Sequence, residues 1–461
     1  MNKIKIDEIK NEENLGFLYS EDGKKRFYEN IFVNNLLKIH SLYYDESNLW
    51  LYENNYLKVL SETQVKKLCK EEFDRINKKL WKLSLENKYF PTLKTSSKLL
   101  QKKDFNKFPY KANFINGVFN FKTQKFEEHS EENNFTYTHD YLIFKEFEDT
   151  PLFDELINIV SNGRTELAEY ILELMAYIIS GNKTEQKFFI FKGSGQNGKS
   201  TLINLIRKLI HPDFVTNISI SKLDEKFALA SAEGKKLIVA SENEGKKNNA
   251  IPTENLKILS SGNEMINIEK KYQDSYSTIL QAELIFAVNN TIEFAETSYG
   301  LTRRLVVIPF DGIITNPDSE FEKNLENEIP LIMRKLIYKY LNIVNRNYKL
   351  PSCSIVEEAT KALLQESKIK KIEKNLLEYF EEHLELKDTA RESKNTIFNH
   401  YTNNSGQKNQ TKFWIEFRKW LKFKEVEFKE IRNNDRYICG VRLKTENEEE
   451  NNLNIFEIEN I

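Results

Sequence analysis

Residues 193–201 read GSGQNGKST and directly follow the apolar run FFIF. Gly193, Gly198, Lys199 and Ser200 satisfy the spacing G-x-x-x-x-G-K-[ST]. In that spacing, backbone N–H groups and the positive end of the following helix surround phosphate oxygens. Lys199 is positioned to reach the β and γ phosphates of ATP, and Ser200 to ligate Mg2+. Gly195 lets the loop wrap tightly. The whole run Gly193, Ser194, Gly195, Gln196, Asn197, Gly198, Lys199, Ser200 and Thr201 is therefore the candidate nucleotide site.

A triphosphate site that hydrolyses its ligand also needs an acid, a group that orients water and a cation for the charge that develops. About 40 residues downstream, the apolar run LIVA leads into Glu242 and Glu244. Glu242 is the candidate for polarising water or holding the metal shell, and Glu244 shares or exchanges that role. The run AELIFAV ends in Asn289, which could orient the water, although Asn-Asn after a strand also reads as a plain turn. Arg303 and Arg304 precede the run LVVIPF. Taken alone they read as surface arginines paired to acids. In the order loop, acid, Asn, Arg, either one is a candidate for stabilising a transferring phosphoryl group.

These residues have to be positioned by a sheet. KFFIF, KKLIVAS, AELIFAV and RRLVVIPF are short apolar runs separated by helical and polar stretches, the pattern of buried strands in a mostly parallel sheet. Residues 164–180 carry a helical stripe of Leu167, Ile171, Leu174 and Ile178, ended by Gly181-Asn182. Ahead of it, Asn116-Gly117 between aromatic runs predicts a hairpin turn, with Phe119 and Phe121 alternating inward. Val65, Leu68, Phe73, Ile76 and Leu80 lie near helical spacing. Pro351 and the polar stretch before it suggest a linker. Residues 266–279 read as a β-hairpin with Lys270, Lys271 and Tyr272 near its tip, and Lys246 and Lys247 form a weaker basic site.

The chain has 461 residues, 40% hydrophobic and 30% charged, which suits several packed domains rather than disorder. A net charge of -2 argues against a wholly basic DNA-coating protein but leaves local phosphate-binding patches open. Cys69, Cys353 and Cys439 fit neither a disulfide framework nor a zinc cluster, so a reducing compartment is expected. No run approaches the ~18 apolar residues of a membrane span, and the expected location is the host cytoplasm, with no membrane partner.

The pieces GSGQNGKST, KKLIVASENEG, LKILSSGNEMINIEKKY, LIFAVNN and TRRLVVIPF, in this order, resemble superfamily-3 helicases of the AAA+ class. The resemblance is nearest to the helicase half of phage and plasmid primase-helicases, related to the poxvirus replicative NTPase. It implies a multidomain α/β protein: an AAA+ P-loop NTPase core with a helical/β N-terminal domain and a C-terminal winged-helix domain. It further implies a homo-oligomeric ring, a hexamer, moving 3' to 5' on single-stranded and forked DNA, with Arg303 or Arg304 acting on a neighbour's nucleotide. In such helicases the hairpin enters the ring channel, which would put Lys270 and Lys271 on phosphates and let Tyr272 stack or pack. Ser241 stands where some relatives have a second acid, so the division between Glu242 and Glu244 stays open.

The resemblance covers most of residues 90–445. Expected units are 1–90, mainly helical; 91–160 before the ATPase; 161–350, the ATPase; 365–445, winged-helix-like; and 446–461, an acidic tail. The third tail helix, QTKFWIEFRKWLKF, buries Phe413, Phe417, Trp420 and Leu421 and offers Lys412, Arg418, Lys419 and Lys422 to DNA, or else serves subunit packing. Too little sequence precedes residue 90 for a catalytic primase domain, so a separate primase is an expected partner. Two other readings remain: an origin-binding initiator that uses ATP as an assembly switch on duplex DNA, and a primase-helicase with a reduced N-terminal region.

Overall fold

The structure, a computed structural model, describes residues 11–101, 104–143, 149–240, 250–271, 274–289, 292–314, 319–369, 372–424, 426–427, 429–432 and 436–444. At its centre is a five-stranded sheet of β1 (Phe188–Lys192), β2 (Val215–Asn217), β3 (Leu237–Ala240), β4 (Glu283–Val288) and β5 (Leu305–Pro309). The spatial order is β2-β3-β4-β1-β5, and every neighbouring pair is parallel. Both faces are covered, so the strands read as continuous apolar runs. Phe189, Phe191, Val239, Ile285 and Ile308 face one core, with helices Pro151–Ser161, Thr165–Ser180, Lys199–Ile210 and Ile329–Asn345. Phe188, Ile190, Ile238, Leu284, Phe286 and Val307 face the other, with helix Glu254–Ser261. The architecture is thus multidomain α/β with a parallel central sheet.

Helix Ser354–Ile369 belongs to this second core: Leu363 is fully buried in it, Thr360 Oγ1 accepts from the Val307 amide at 2.9 Å, and Ser367 Oγ from the Phe294 amide at 3.1 Å. The sequence placed a linker near Pro351 and the domain end at 350. The structure carries the central unit on to 369, because this helix supplies cover that β5 lacks. The edge strand β2 is also new; its three residues, VTN, carry too little apolar pattern to show.

Residues 17–100 add strands to the expected helices. Helices Glu29–Ile39, Glu62–Asn77 and Leu83–Ser96 pack with a four-stranded sheet ordered 56–60, 49–53, 42–44, 98–99. Asn54 and Asn55 both have positive φ (54° and 69°), the requirement of a two-residue hairpin turn. Because Lys98–Leu99 pair with Tyr43–Tyr44, this unit closes near residue 100 rather than 90. Next comes an antiparallel meander of Lys111–Phe114, Gly117–Asn120 and Lys125–Glu127. Phe114 pairs with Gly117, so the turn residues are Ile115 and Asn116, one position earlier than Asn116-Gly117.

The C-terminal unit runs helix Lys374–His383, strand Leu384–Ser393, helices Lys394–Ser405 and Gln410–Phe423, then strands Lys429–Arg432 and Arg436–Leu443. Its first strand was not expected, since LELKDTARES is mostly polar. Phe413, Phe417, Trp420 and Leu421 are all buried, as the helical spacing predicts, with Phe380, Ile397, Ile438 and Val441. Cys69 and Cys353 are buried free thiols, and Cys439 is a free, half-buried one. Among the described residues, no helix is long and apolar enough to cross a membrane.

Candidate functional site

The glycine-rich segment leaves β1 at its carboxyl end and enters helix Lys199–Ile210 without a side-chain cap, so the first helical N–H groups face the loop. Its frame is backbone: the Gly193 amide donates to Val288 O of β4 at 3.1 Å, and the Phe310 amide to Lys192 O at 2.7 Å. A Cβ on Gly193 would stand 2.3 Å from both Phe310 O and Asn197 Nδ2, which closes this position to every other residue. Gly198 sits at φ +78°, and a Cβ there would meet Val160 Cγ1 at 2.9 Å.

Asn197 and Lys199 form the buried heart of the loop, 2% and 5% exposed. Asn197 Nδ2 donates to Phe310 O at 2.8 Å, while its Oδ1 accepts from Lys199 Nζ at 3.0 Å. Lys199 Nζ also donates to Gly193 O at 2.7 Å. Both acceptors are neutral, and burial pulls the Lys199 ammonium below its ordinary pKa. Among the described residues no carboxylate pairs with Lys199, and a buried cation so placed is a demand for negative charge. Ser194, Gln196 and Ser200 are exposed, and a Cβ on Gly195 would meet open space. Thr201 Oγ1 is already engaged, donating to Glu322 Oε1 at 2.8 Å.

Around this loop the other expected residues divide. Glu242 and Glu244 lie outside the described residues, as do Lys246, Lys247 and Tyr272; the last described residue before the acids is Ala240, which ends β3 beside β4. Asn289 follows β4 and is exposed, one residue beyond the Val288 carbonyl that holds the loop. The two arginines separate clearly. Arg304 is 7% exposed, donates from Nη1 to Gly300 O at 2.7 Å and lies 4.0 Å from Glu264 Oε1. Arg303 has an exposed side chain; its carbonyl accepts from Lys187 Nζ at 2.7 Å and its amide donates to Tyr299 O at 3.2 Å. Arg304 is thus tied to its own helical turn, whereas the Arg303 side chain is exposed.

Strands Met265–Ile268 and Tyr276–Ile279 form the expected antiparallel hairpin. Lys270 is not a free tip cation: it is ion-paired to Glu233 at 2.5 Å and lies over the Tyr276 ring. Lys271 is exposed. Beneath the hairpin lies a cleft of about 650 Å³, lined by Lys222, Lys226, Phe227, Ser231, Ala240 and Lys271 among others. Phe227 was missed by the sequence reading. It stands at φ 66°, rare for a bulky residue, with its side chain 38% exposed. Nothing in the run DEKFALA marks it. In the tail, Lys412 is ion-paired to Glu373 at 2.5 Å and Lys419 to Glu416 at 2.6 Å. Arg418 and Lys422 are exposed on the same helix.

Comparison with known proteins places a family of unknown function, DUF5906, on residues 191–304, the stretch from β1 to Arg304. A putative helicase, L207/L206 of Acanthamoeba polyphaga mimivirus, is 27% identical over 209 residues, 44% of this chain. The match spans 22% of that viral protein. Among solved structures, the apo C-terminal region (305–718) of NrS-1 superposes with TM-score 0.49 at 12% identity, covering 89% of this chain and 97% of that one. A JCV helicase structure superposes with TM-score 0.23 at 14% identity, over 50% and 69%. At the sequence level, the chain thus shares a segment with a helicase-like viral protein.

Proposed function

We propose that this chain is the ATP-driven motor of a replicative DNA helicase of the superfamily-3 AAA+ kind, encoded by a phage, plasmid or mobile genomic island. It works as a homo-oligomeric ring, a hexamer, moving 3' to 5' on single-stranded DNA. The observation that carries the reading is Lys199: a buried ammonium held by two neutral oxygens, at a helix N-terminus and at the carboxyl ends of parallel strands. Phosphate oxygens are the ligand that such a cation lacks. The shared segment with a putative viral helicase supports the same reading.

The donor set fits nucleotide and metal. Exposed Ser200 and the proposed acid Glu242 would hold Mg2+, which, when bound, neutralises phosphate charge. The chain's own groups do the rest. Lys199 exchanges Gly193 O and Asn197 Oδ1 for phosphate oxygens. Glu242, with Glu244 as its partner, polarises the attacking water, and Asn289 orients it. Arg303 reaches a neighbouring subunit's nucleotide. Lys271, Lys222 and Phe227 line the strand-binding cleft, lysines on phosphates and the ring against a base.

The test is unwinding of a forked duplex with ATP and Mg2+, using separate 3' and 5' tails and Lys199→Ala as control. Unwinding that requires the 3' tail and Lys199 supports the motor. A second reading, an origin-binding initiator that uses ATP as a switch, draws on the tail's helix–strand–helix–helix–hairpin order, which suits a winged-helix DNA reader. Ring assembly on a specific duplex without unwinding would favour it.

A further inference from the structure

A cleft of about 390 Å³ separates the central unit from the C-terminal unit. The central unit lines it with Glu296, Thr297, Ser298 and Lys368, and the C-terminal unit with Lys419, Lys422 and Phe423. The lysines come from the last turns of two helices, 354–369 and 410–423, that touch one another. Lysines near helix C-termini are ordinary. Here, however, two helices from different units bring three of them to one cavity beside an aromatic ring. Lys368 and Lys422 have no ion pair among the described residues, while Lys419 is held by Glu416 at 2.6 Å. The facing acid adds little repulsion, since Glu296 is ion-paired to Lys257 at 2.6 Å and accepts from Thr253 and Ser298 hydroxyls.

We infer that this cleft is a second nucleic-acid subsite, taking the sugar-phosphate backbone of a single strand on Lys368, Lys419 and Lys422 with a base against Phe423. The volume lies in the ~300–1,000 Å³ range of pockets that accept nucleotide-sized ligands. An extended strand presents phosphates at successive positions, which suits lysines spread over two helices better than one free phosphate does. The location gives the site a consequence. Residues 296–298 belong to the segment joining Asn289 to Arg303, and the Phe294 amide fastens that segment to Ser367, one residue before Lys368. A strand in the cleft therefore bears on the connection between two residues proposed for hydrolysis. The inference rests on the DNA-motor reading above.

The experiment is equilibrium binding of a fluorescent oligo-dT to the full chain without nucleotide, over a range of salt. Wild type is compared with Lys368→Gln/Lys422→Gln and Lys368→Arg/Lys422→Arg. For single strands the salt slope is about 0.7 per neutralised phosphate, so the Gln pair is expected to lower it by roughly 1.4 and the Arg pair to restore it. Competition by inorganic tripolyphosphate separates a strand from a small anion. The same slope for wild type and the Gln pair overturns the subsite while leaving the motor intact. Tripolyphosphate that binds wild type but not the Gln pair, with oligo-dT binding alike in both, overturns the strand assignment. Wild type that binds no oligo-dT at all removes the DNA-motor reading itself.

Discussion

Substituting Asn197 by Asp probes the proposed phosphate site through a single atom. The change keeps size and shape but places a carboxylate oxygen where the amide oxygen now accepts from Lys199 Nζ at 3.0 Å. At an effective dielectric of ~20, opposite charges at that distance attract by about 5–6 kcal/mol. Burying the new carboxylate offsets roughly half of this. What remains, about 2–3 kcal/mol, holds Lys199 away from an incoming phosphate and corresponds to roughly a 100-fold loss of nucleotide affinity. The other side-chain oxygen would face Phe310 O, now bonded at 2.8 Å, so stability is expected to fall by about 1–3 kcal/mol. Titration with a fluorescent ATP analogue, beside thermal unfolding of the same protein, separates the two effects. A folded variant that binds nucleotide as tightly as wild type would refute the assignment of Lys199 as the phosphate ligand.

Two further outcomes are expected. His139 is 4% exposed, stacked on Phe114 and close to His211; burial, then the nearby His211 and Lys236, push its pKa down to about 3. The folded state refuses a proton that the unfolded chain takes near pH 6.5, so stability is full above that pH and falls toward pH 3, by about 1.4 kcal/mol per unit. Denaturant unfolding should lose about 2 kcal/mol between pH 7 and 5, less so in His139→Phe; equal losses would refute the assignment. Phe227→Gly relieves a left-handed backbone worth ~1–2 kcal/mol and gives up a ring that is already partly exposed. Unfolding should therefore change by less than about 1 kcal/mol while stimulation of hydrolysis by single-stranded DNA falls; retained stimulation removes Phe227 from the strand-binding cleft.

What the sequence displays depends on how locally each feature is determined. The strands β1, β3, β4 and β5 are legible because burial on both faces demands uninterrupted apolar runs. The glycine-rich loop is legible because sterics leave Gly193 no alternative. Features set by pairing across the chain are not. The strand 384–393 is mostly polar and is made by its partner 436–443. The meaning of Arg303-Arg304 depends on Gly300 O, which captures one guanidinium and leaves the other outside. Lys270 reads as a tip cation until Glu233, 37 residues upstream, is found beside it. Lysine-rich composition conceals which cations are already neutralised, and only geometry distinguishes Lys271 from Lys270.

The same contacts bear on how the proposed motor could transmit force. The glycine-rich loop hangs on Val288, the residue before Asn289. Beyond it, Ile251 and Phe294 form a backbone bridge, and Glu296 binds Lys257 in helix 254–261. That helix leads through Gly262 into the hairpin strand Met265–Ile268. Among the described residues, the links between the glycine-rich loop and the hairpin are thus backbone hydrogen bonds and one ion pair. At its far end two ion pairs, Lys270–Glu233 and Lys226–Glu269, tie the hairpin to the segment bearing Phe227. Both pairs bridge the hairpin and the Phe227 segment, and the exposed Lys226–Glu269 pair contributes at most about 1 kcal/mol. A stroke that lifts the hairpin alone has to break both pairs, whereas a stroke that carries the two together breaks neither. In the proposed motor the second costs less, and it would carry Lys271 and Phe227 together without opening the cleft between them.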